Sequence, residues 1–225
     1  MALSASLSPL KNGPLSSQAF AAIRGAIFAG KYLPGQPLRE LQLCKELQVS
    51  QVIVREALLQ LEHAGLVQKT PNIGTVVTEL SEEEIHDRCE MRIPLEGIAA
   101  VKAAGRIGPA EITELERRLT VLAEAVERND YYAASHADLE FHQYIWERSG
   151  SVILYRTLDQ ITAPLFAFVS IVRSRESQQL RSAVRSHRPI IRALKQGDPD
   201  GIRSVIRTHI EVSYAKFFKA SASKS

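Results

Sequence analysis

Apolar residues recur at helical spacing over most of the chain, and one segment, residues 38–65, contains two such stripes in close succession. Its apolar positions are Leu43, Cys44 and Leu47, followed by Val54, Leu58 and Leu61. This spacing predicts two short helices joined by a tight turn. Ser50 suits the N-cap of the second helix and Gly65 the position just after its end, so both boundaries are marked.

The segments on either side of this helix pair complete a small domain. A helical pattern runs from about Ser17 to Ala29, and two short β-type runs, Leu66–Lys69 and Thr75–Thr78, follow the pair. The turn-forming stretch 70–74 separates these runs, which predicts a β-hairpin. A helix pair followed by such a hairpin is typical of a winged helix-turn-helix.

Beyond residue 80, every periodic segment has helical spacing. Helices are predicted near 81–104, 109–128, 131–149, 152–173, 178–196 and 200–219. Ser81 and Glu84 form a capping box for the first of these helices. Pro94 lies inside the same helix, and we expect it to kink the helix or divide it in two.

The chain thus divides into three parts. Residues 1–15 are rich in Ser, Ala, Pro and Gly and are predicted to form a flexible arm. Residues 16–79 are predicted to form the winged helix-turn-helix domain and residues 80–221 an all-helical domain. The predicted fold class is therefore mainly α, with the winged domain followed by an antiparallel helical bundle.

The second helix of the predicted pair has a polar outer face. Gln51, Val52 and Arg55 lie in its first turns and point away from the apolar stripe. A helix that is anchored by one face and offers Gln and Arg near its N-terminus is typical of a recognition helix in the DNA major groove.

The net charge of +3 is unevenly distributed along the chain. Residues 1–80, 81–172 and 173–225 carry net charges of +2, −7 and +8, which indicates acidic and basic faces that meet in the fold. A charge of +2 on the first domain is weak for non-specific nucleic-acid binding. No apolar run approaches membrane-spanning length and no signal peptide is evident. Two cysteines within helical patterns suggest reduced thiols and a cytoplasmic protein.

Three histidines occupy apolar stripes on three different predicted helices. His187 and His209 lie ten residues before and after the turn at 197–199, so each ring is about 15 Å from the bend and the two are level. Asp138 precedes His142 by four residues and shares its helical face. Either these are hydrogen-bonded core histidines, or the four side chains converge on Zn²⁺ or Ni²⁺, with Mn²⁺ and Fe²⁺ as alternatives.

Arg92 also lies on an apolar stripe, where a charge needs an anion or a wet cavity. Its partner is either a glutamate or aspartate of the bundle, or the carboxylate of a bound ligand that also contacts the metal.

These features resemble the GntR family of bacterial transcription regulators, in the FadR-like branch whose effector domain is the helical FCD domain. The resemblance covers nearly the whole chain. In the first domain it rests on residues 30–35, 38–40, 49–50, 54–58, 61–62, 65–67 and 71–74. In the second domain it rests on residues 92–96, 99–100 and 138–142, and on His187 and His209.

The resemblance implies a set of site residues and partners. The family's metal set is matched by Asp138, His142, His187 and His209, which implies one divalent ion, with Zn²⁺ ahead of Ni²⁺ and Mn²⁺. The implied DNA-binding residues are Arg39, Ser50, Gln51, Val52, Arg55, Asn72 and Gly74. It further implies homodimers on palindromic double-stranded operators, switched by a small carboxylic acid near Arg92. The branch founder, which binds acyl-CoA, lacks this metal set, so a fatty acyl effector is not expected.

The sequence departs from the family pattern at two positions. Gln51 and Ile53 stand where the family usually has Arg and Pro. Arg favours guanine and Gln favours adenine, so the operator is expected to differ from the family's common one.

We therefore expect a ligand-responsive repressor with no enzymatic activity. The alternative is a metal-dependent enzyme with an appended DNA-binding domain. Against this alternative, the nearest candidate base is Glu140, and its offset of two residues from Asp138 turns it off the metal-binding face.

Overall fold

The computed structural model describes the backbone of residues 14–176 and 180–215 and the side chains of residues 14–168 and 184–215. Most of the predicted arm and residues 216–219 of the last predicted helix lie outside the described residues. Over these ranges the chain forms α1 (Leu15–Phe28), α2 (Glu40–Leu47), α3 (Gln51–His63), β1 (Val67–Thr70), β2 (Gly74–Val77), α4 (Glu82–Ala104), α5 (Pro109–Glu127), α6 (Tyr131–Arg148), α7 (Val152–Glu176), α8 (Leu180–Gln196) and α9 (Pro199–Ser213).

The first part of the chain is a winged helix-turn-helix. Val54, Leu58 and Leu61 are buried, so the predicted stripe of α3 faces the core. The Ser50 hydroxyl caps α3 by accepting from the backbone N–H of Ile53 at 3.5 Å. Gly65 follows the helix end with φ +71°, a backbone conformation that favours glycine.

The wing is an antiparallel hairpin that is held against the helices. β1 and β2 pair in the register Val67 to Val77 and Thr70 to Gly74. Val67 and Val77 are buried at the base, whereas the tip at 71–74 is exposed. The hairpin therefore presents its turn to solvent beside α2 and α3.

The second part is a helical bundle formed by α4 to α9, as predicted. The capping box of α4 is present, because the Glu84 N–H donates to the Ser81 hydroxyl and the Glu84 carboxylate accepts from the Ser81 N–H. The expectation that Pro94 divides this helix was wrong, since α4 continues through it. Buried residues on both sides of Pro94, including Ile85 and Ala100, pack into one core and offset the lost backbone hydrogen bond.

The two parts share a core rather than meeting at a polar linker. The buried cluster around α1 and α3 also includes Leu139 and Trp146 of α6 and Phe166 of α7. A side chain at Gly30 would collide with the ring of Tyr132 on α6, so the end of α1 lies directly against that helix.

The fold class is confirmed as a winged helix-turn-helix followed by a helical bundle. Within the described ranges, no helix combines the length and the apolar character that crossing a membrane requires.

Candidate functional site

One aspartate and three histidines meet inside the bundle. Asp138 and His142 extend from α6, His187 from α8 and His209 from α9. One ligand atom from each of the four side chains lies within 4.8 Å of all the others. His142 and His187 are fully buried, and the Asp138 side chain is 14% exposed. The structure therefore brings together all four residues that the sequence singled out.

The distances within this cluster suit a common ion. Oδ1 of Asp138 lies 2.9 Å from Nε2 of His187 and 3.5 Å from Nε2 of His142. The Nε2 atoms of His142 and His209 are 3.2 Å apart. Ligand atoms that each lie about 2.1 Å from one ion are about 3–3.5 Å apart, so the donor set fits a divalent metal with small adjustments.

The electrostatics of the cluster follow from burial and mutual proximity. Burial alone would raise the pKa of Asp138, but His187 and His142 hold it well below its ordinary value. Burial, together with the neighbouring imidazoles, lowers the pKa of His209 well below its ordinary value. Asp138 and His209 therefore have the protonation states that a divalent metal requires. Burial alone would lower the pKa of His142, but Glu96 and Asp138 raise it to about 9, so metal binding at this ring would release a proton.

A small pocket between α8 and α9 borders one member of the cluster, His209. This pocket has a volume of about 190 Å³, and its lining includes His209, Ser186 and Thr208. Nδ1 of His209 is buried and has no hydrogen-bond partner among the described residues. This nitrogen is therefore available to a group that enters between the two helices.

Arg92 has a partner that the sequence analysis did not name. Its Nε donates to Oε1 of Glu96 at 2.7 Å, and both side chains are 1% exposed. Burial alone would lower the pKa of Arg92, but Glu96 raises it above its ordinary value, so the guanidinium stays charged. A glutamate of the bundle was one of the two partners expected for Arg92. Its spacing of four residues from Arg92 places it on the same helical face, which is the sequence pattern that could have identified it.

The rest of the Arg92 guanidinium lies among aromatic rings. Its central carbon is 5.2 Å from the Phe166 ring centre and 5.4 Å from that of Tyr214. Its Nη1 is buried and has no hydrogen-bond partner among the described residues. A buried donor without a partner is costly, which makes this edge a candidate for binding an anion.

The predicted DNA-binding residues lie at the starts of α2 and α3 and at the tip of the wing, and all of them are exposed. Arg39 lies at the N-cap position of α2, Ser50 caps α3, and Gln51, Val52 and Arg55 follow in the first turns of α3. Asn72 and Gly74 lie at the wing tip with φ of +62° and +95°. All seven residues are exposed: Arg39, Ser50, Gln51, Val52, Arg55, Asn72 and Gly74.

One carboxylate that the sequence analysis missed holds two of these residues together. Oε2 of Glu40, in the first turn of α2, accepts from Nε2 of Gln51 at 2.6 Å and from Nε of Arg55 at 2.8 Å. Hydrogen bonds from Gln51, which outweigh burial, and from Arg55 lower the pKa of Glu40. Eleven and fifteen residues separate the partners, so the contact depends on tertiary packing and no local sequence pattern predicts it.

Another group of metal-binding residue types lies on the surface. His86, Asp87 and Glu90 are close together on α4, but the Asp87 and Glu90 side chains are 63% and 64% exposed. Exposed acidic groups on one helix are ordinary surface chemistry, so this group serves as a comparison for the buried cluster.

Comparison with known families divides the chain at the same place as the fold. Residues 15–77 match the description "Bacterial regulatory proteins, gntR family". Residues 87–212, more than half of the chain, match the FCD domain. The first match covers α1 to β2, and the second covers the helices that carry the buried cluster.

Individual relatives agree with these matches. A probable D-xylose utilization operon transcriptional repressor from Paenarthrobacter nicotinovorans is 28% identical over 82% of this chain and 80% of its own length. The transcriptional repressor RspR of Escherichia coli is 26% identical over 88% of this chain and 86% of its own length. The structure of E. coli McbR/YncC covers 93% of this chain and all of its own at 22% identity, with a TM-score of 0.81, which shows a shared fold.

The alternative of a metal-dependent enzyme is not supported, because both matched domains and the named relatives are those of transcriptional regulators. The winged helix-turn-helix, the helical bundle and the two domain matches lead to one conclusion. The chain belongs to the GntR family of transcriptional regulators and carries an FCD domain as its second part.

Proposed function

We propose that this regulator is a repressor that binds a palindromic operator as a homodimer and is released by a small carboxylate at a metal site. The observation that carries the proposal is the buried cluster of Asp138, His142, His187 and His209 in a chain that also has an exposed recognition helix. A repressor of this kind acts in the cytoplasm on double-stranded DNA. Residues 16–79 would read the operator and residues 80–221 would sense the effector.

The DNA-reading role is supported by the exposure and chemistry of α3. Gln51 and Arg55 carry the donors and acceptors that read base edges in the major groove, with Gln suited to adenine and Arg to guanine. Arg39 lies at the start of α2, and Ser50 and Val52 lie at the start of α3. Asn72 and Gly74 at the wing tip would contact the DNA backbone. Two such units related by a two-fold axis would read a palindrome.

The metal-binding role is supported by the donor set and its distances. Three imidazoles and one carboxylate suit Zn²⁺, with Ni²⁺ and Mn²⁺ as alternatives. In the proposed complex Asp138, His142, His187 and His209 hold the ion. The ion would supply a positive charge and open coordination positions for an anion.

The effector class follows from Arg92. A guanidinium that is buried beside the cluster and keeps Nη1 available suits a carboxylate oxygen. We therefore propose a small mono- or dicarboxylate, with or without a hydroxyl group. The P. nicotinovorans relative is named for the utilization of a sugar, D-xylose, so that sugar belongs in the same screen.

The proposed signal travels through helices that contact both parts. α6 carries Asp138 and His142 toward the cluster, and its Tyr132 and His136 contact α1 at Gly30 and Phe28. α4 carries Arg92 and begins directly after the wing. Effector binding that draws these helices together would change the spacing of the two recognition helices, and the coupling must be reciprocal.

The test is a selection of operator sequences from random duplex DNA, with the full chain loaded with Zn²⁺. A palindrome should be enriched, and its affinity, measured by fluorescence anisotropy, should fall when the effective acid from a thermal-shift screen is added. Enrichment of no palindrome would refute the DNA-binding part. An acid that stabilises the protein but leaves the DNA affinity unchanged would refute the switch.

A further inference from the structure

Glu96 occupies a position between the two parts of the proposed effector site. Oε1 of its carboxylate accepts from Nε of Arg92 at 2.7 Å, and Oε2 lies 2.9 Å from Nδ1 of His142. Glu96 and Arg92 are 1% exposed and His142 is fully buried. One carboxylate therefore contacts both the candidate anion-binding group and a candidate metal ligand.

The contact with His142 determines which ring nitrogen faces the cluster. A carboxylate beside Nδ1 favours a proton on that nitrogen, which leaves the lone pair of the neutral ring on Nε2. Nε2 is the atom of His142 that lies among the other ligand atoms, 3.5 Å from Asp138 and 3.2 Å from His209. The Glu96 carboxylate thus favours, in the neutral ring of His142, the tautomer that can bind a metal.

The contact with Arg92 fixes the guanidinium by one edge. Glu96 engages Nε, and Nη1 of Arg92 remains buried without a partner among the described residues. A guanidinium held at Nε in this way keeps Nη1 available for a second anion. The rings of Phe166 and Tyr214 flank the guanidinium on its other sides.

The charge of Glu96 also limits the charge of the ligand. With a divalent ion and neutral imidazoles, Arg92, Glu96 and Asp138 leave one net positive charge among the buried groups of the site. Buried charges are costly unless they are balanced, so a single carboxylate satisfies the site and a second one does not.

We propose that Glu96 is a positioning residue that orients both Arg92 and His142 and restricts the effector to a monocarboxylate. This inference rests on the proposed metal and effector site and narrows its ligand class. It predicts that the two properties, metal affinity and preference for a monoanion, change together when Glu96 loses its charge.

Glu96→Gln is the informative variant because it keeps the shape of the side chain. If its amide oxygen accepts from Arg92, its NH₂ group faces Nδ1 of His142 and favours the tautomer with hydrogen on Nε2. The site also gains one net positive charge. We expect Zn²⁺ affinity to fall about 10–100-fold, the usual effect of changing the group that orients a metal-bound histidine.

The experiment uses the full chain in four forms: wild type, Glu96→Gln, Glu96→Asp and the control Glu83→Gln, which changes an exposed glutamate on the same helix. Zn²⁺ is titrated alone into metal-free protein by calorimetry. At saturating Zn²⁺, butyrate is then compared with succinate, and 2-hydroxybutyrate with malate. Because the acids in each pair share a four-carbon chain, their affinity ratio reports charge preference.

Wild type and Glu83→Gln should prefer the monocarboxylate of each pair, and Glu96→Gln should shift the ratio toward the dicarboxylate by about tenfold or more. Glu96→Asp retains the charge but has a shorter reach, so it should lose Zn²⁺ affinity and keep the monocarboxylate preference. This variant decides the question if Glu96→Gln does not fold, which circular dichroism will show.

Two outcomes separate this inference from the proposed function. If wild type binds Zn²⁺ and a carboxylate, but Glu96→Gln retains both the affinity and the ratio, the role of Glu96 is refuted and the site stands. If wild type binds neither Zn²⁺ nor any of the four acids, both the site and the role of Glu96 are refuted.

Discussion

Glu40 and Glu96 perform the same local task in two different regions of the molecule. Each carboxylate accepts from the Nε of an arginine, Arg55 at 2.8 Å and Arg92 at 2.7 Å, and each also contacts a second candidate site residue. The Arg55 and Glu40 side chains are 61% and 32% exposed, whereas those of Arg92 and Glu96 are 1% exposed.

The difference in burial gives the two ion pairs different consequences. An exposed pair contributes little to stability and can exchange its partner for a phosphate or a base at low cost. A buried pair is costly to break, because the remaining charge is left without compensation. The surface pair is therefore suited to give way when DNA binds, and the buried pair to hold a fixed frame for a ligand.

The strongest test of this contrast is the free energy of unfolding. Arg92→Ala should lower it by about 3–5 kcal/mol in metal-free protein, because Glu96 then remains as an unpaired buried charge. Arg55→Ala, the matched control, should change it by at most about 1 kcal/mol. Urea denaturation measures both, and equal effects would show that burial does not separate the two pairs.

Removal of the proposed metal should lower the free energy of unfolding, because the ion binds the folded state only. At a free Zn²⁺ concentration one hundred times the dissociation constant, binding adds about 2.7 kcal/mol, which raises the melting temperature of a chain of this size by about 5–10 °C. His209→Ala should abolish this increase. His86→Ala, in the exposed group on α4, should retain it, and an increase lost in His86→Ala would move the metal to the surface.

Changes at the exposed region should alter DNA binding instead. Arg55→Ala should cost about 1–3 kcal/mol for each half-site in which the arginine contacts a guanine. Its melting temperature should match that of wild type. Fluorescence anisotropy with the selected operator gives the affinity, and unchanged specific binding in both Arg55→Ala and Arg39→Ala would remove α3 from the groove.

Glu40→Gln should have a smaller effect on the same surface. Loss of the carboxylate frees Gln51 and Arg55 from their fixed arrangement, so they would contact DNA less selectively. We expect the ratio of operator to random-DNA affinity to fall by up to about tenfold, which is about 1.4 kcal/mol. A ratio that rises would mean that Glu40 hinders the reading of the operator rather than ordering it.

The reactivity of the two cysteine thiols provides a smaller test of the difference in burial between the two regions. Burial raises the pKa of the Cys89 thiol to about 11, so little thiolate is present at pH 8. Cys44 is half-buried on α2. Ellman's reagent should therefore react with one thiol in the native protein and with both in urea. Rapid reaction of both native thiols would indicate that the bundle opens near Arg92.

Much of the fold was predictable because it depends on local patterns. The stripe of Val54, Leu58 and Leu61, the cap at Ser50 and the turn at Gly65 each follow from spacing and backbone preference. The convergence of the four side chains was predictable for a similar reason, since Asp138 and His142 share one helical face and the turn near residue 197 sets the level of His187 and His209.

What the sequence did not reveal depends on tertiary packing. The expected division of α4 at Pro94 does not occur, because the packing of both halves of the helix decides its continuity. Glu40 meets Gln51 and Arg55 only after α2 and α3 have docked. Arg92 and Glu96 have a recognisable spacing of four residues, but the second contact of Glu96, with His142 on another helix, has no local signal.

The close approach of Gly30 to Tyr132 has a consequence for protein engineering. Because the ring of Tyr132 fills the space where a side chain at residue 30 would stand, the two parts of the chain are not interchangeable cassettes. A chimaera that joins this DNA-reading part to a foreign sensor must also import the outer surface of α6. Without that surface, the chimaera would gain a new ligand pocket, but ligand binding would not be coupled to the recognition helices.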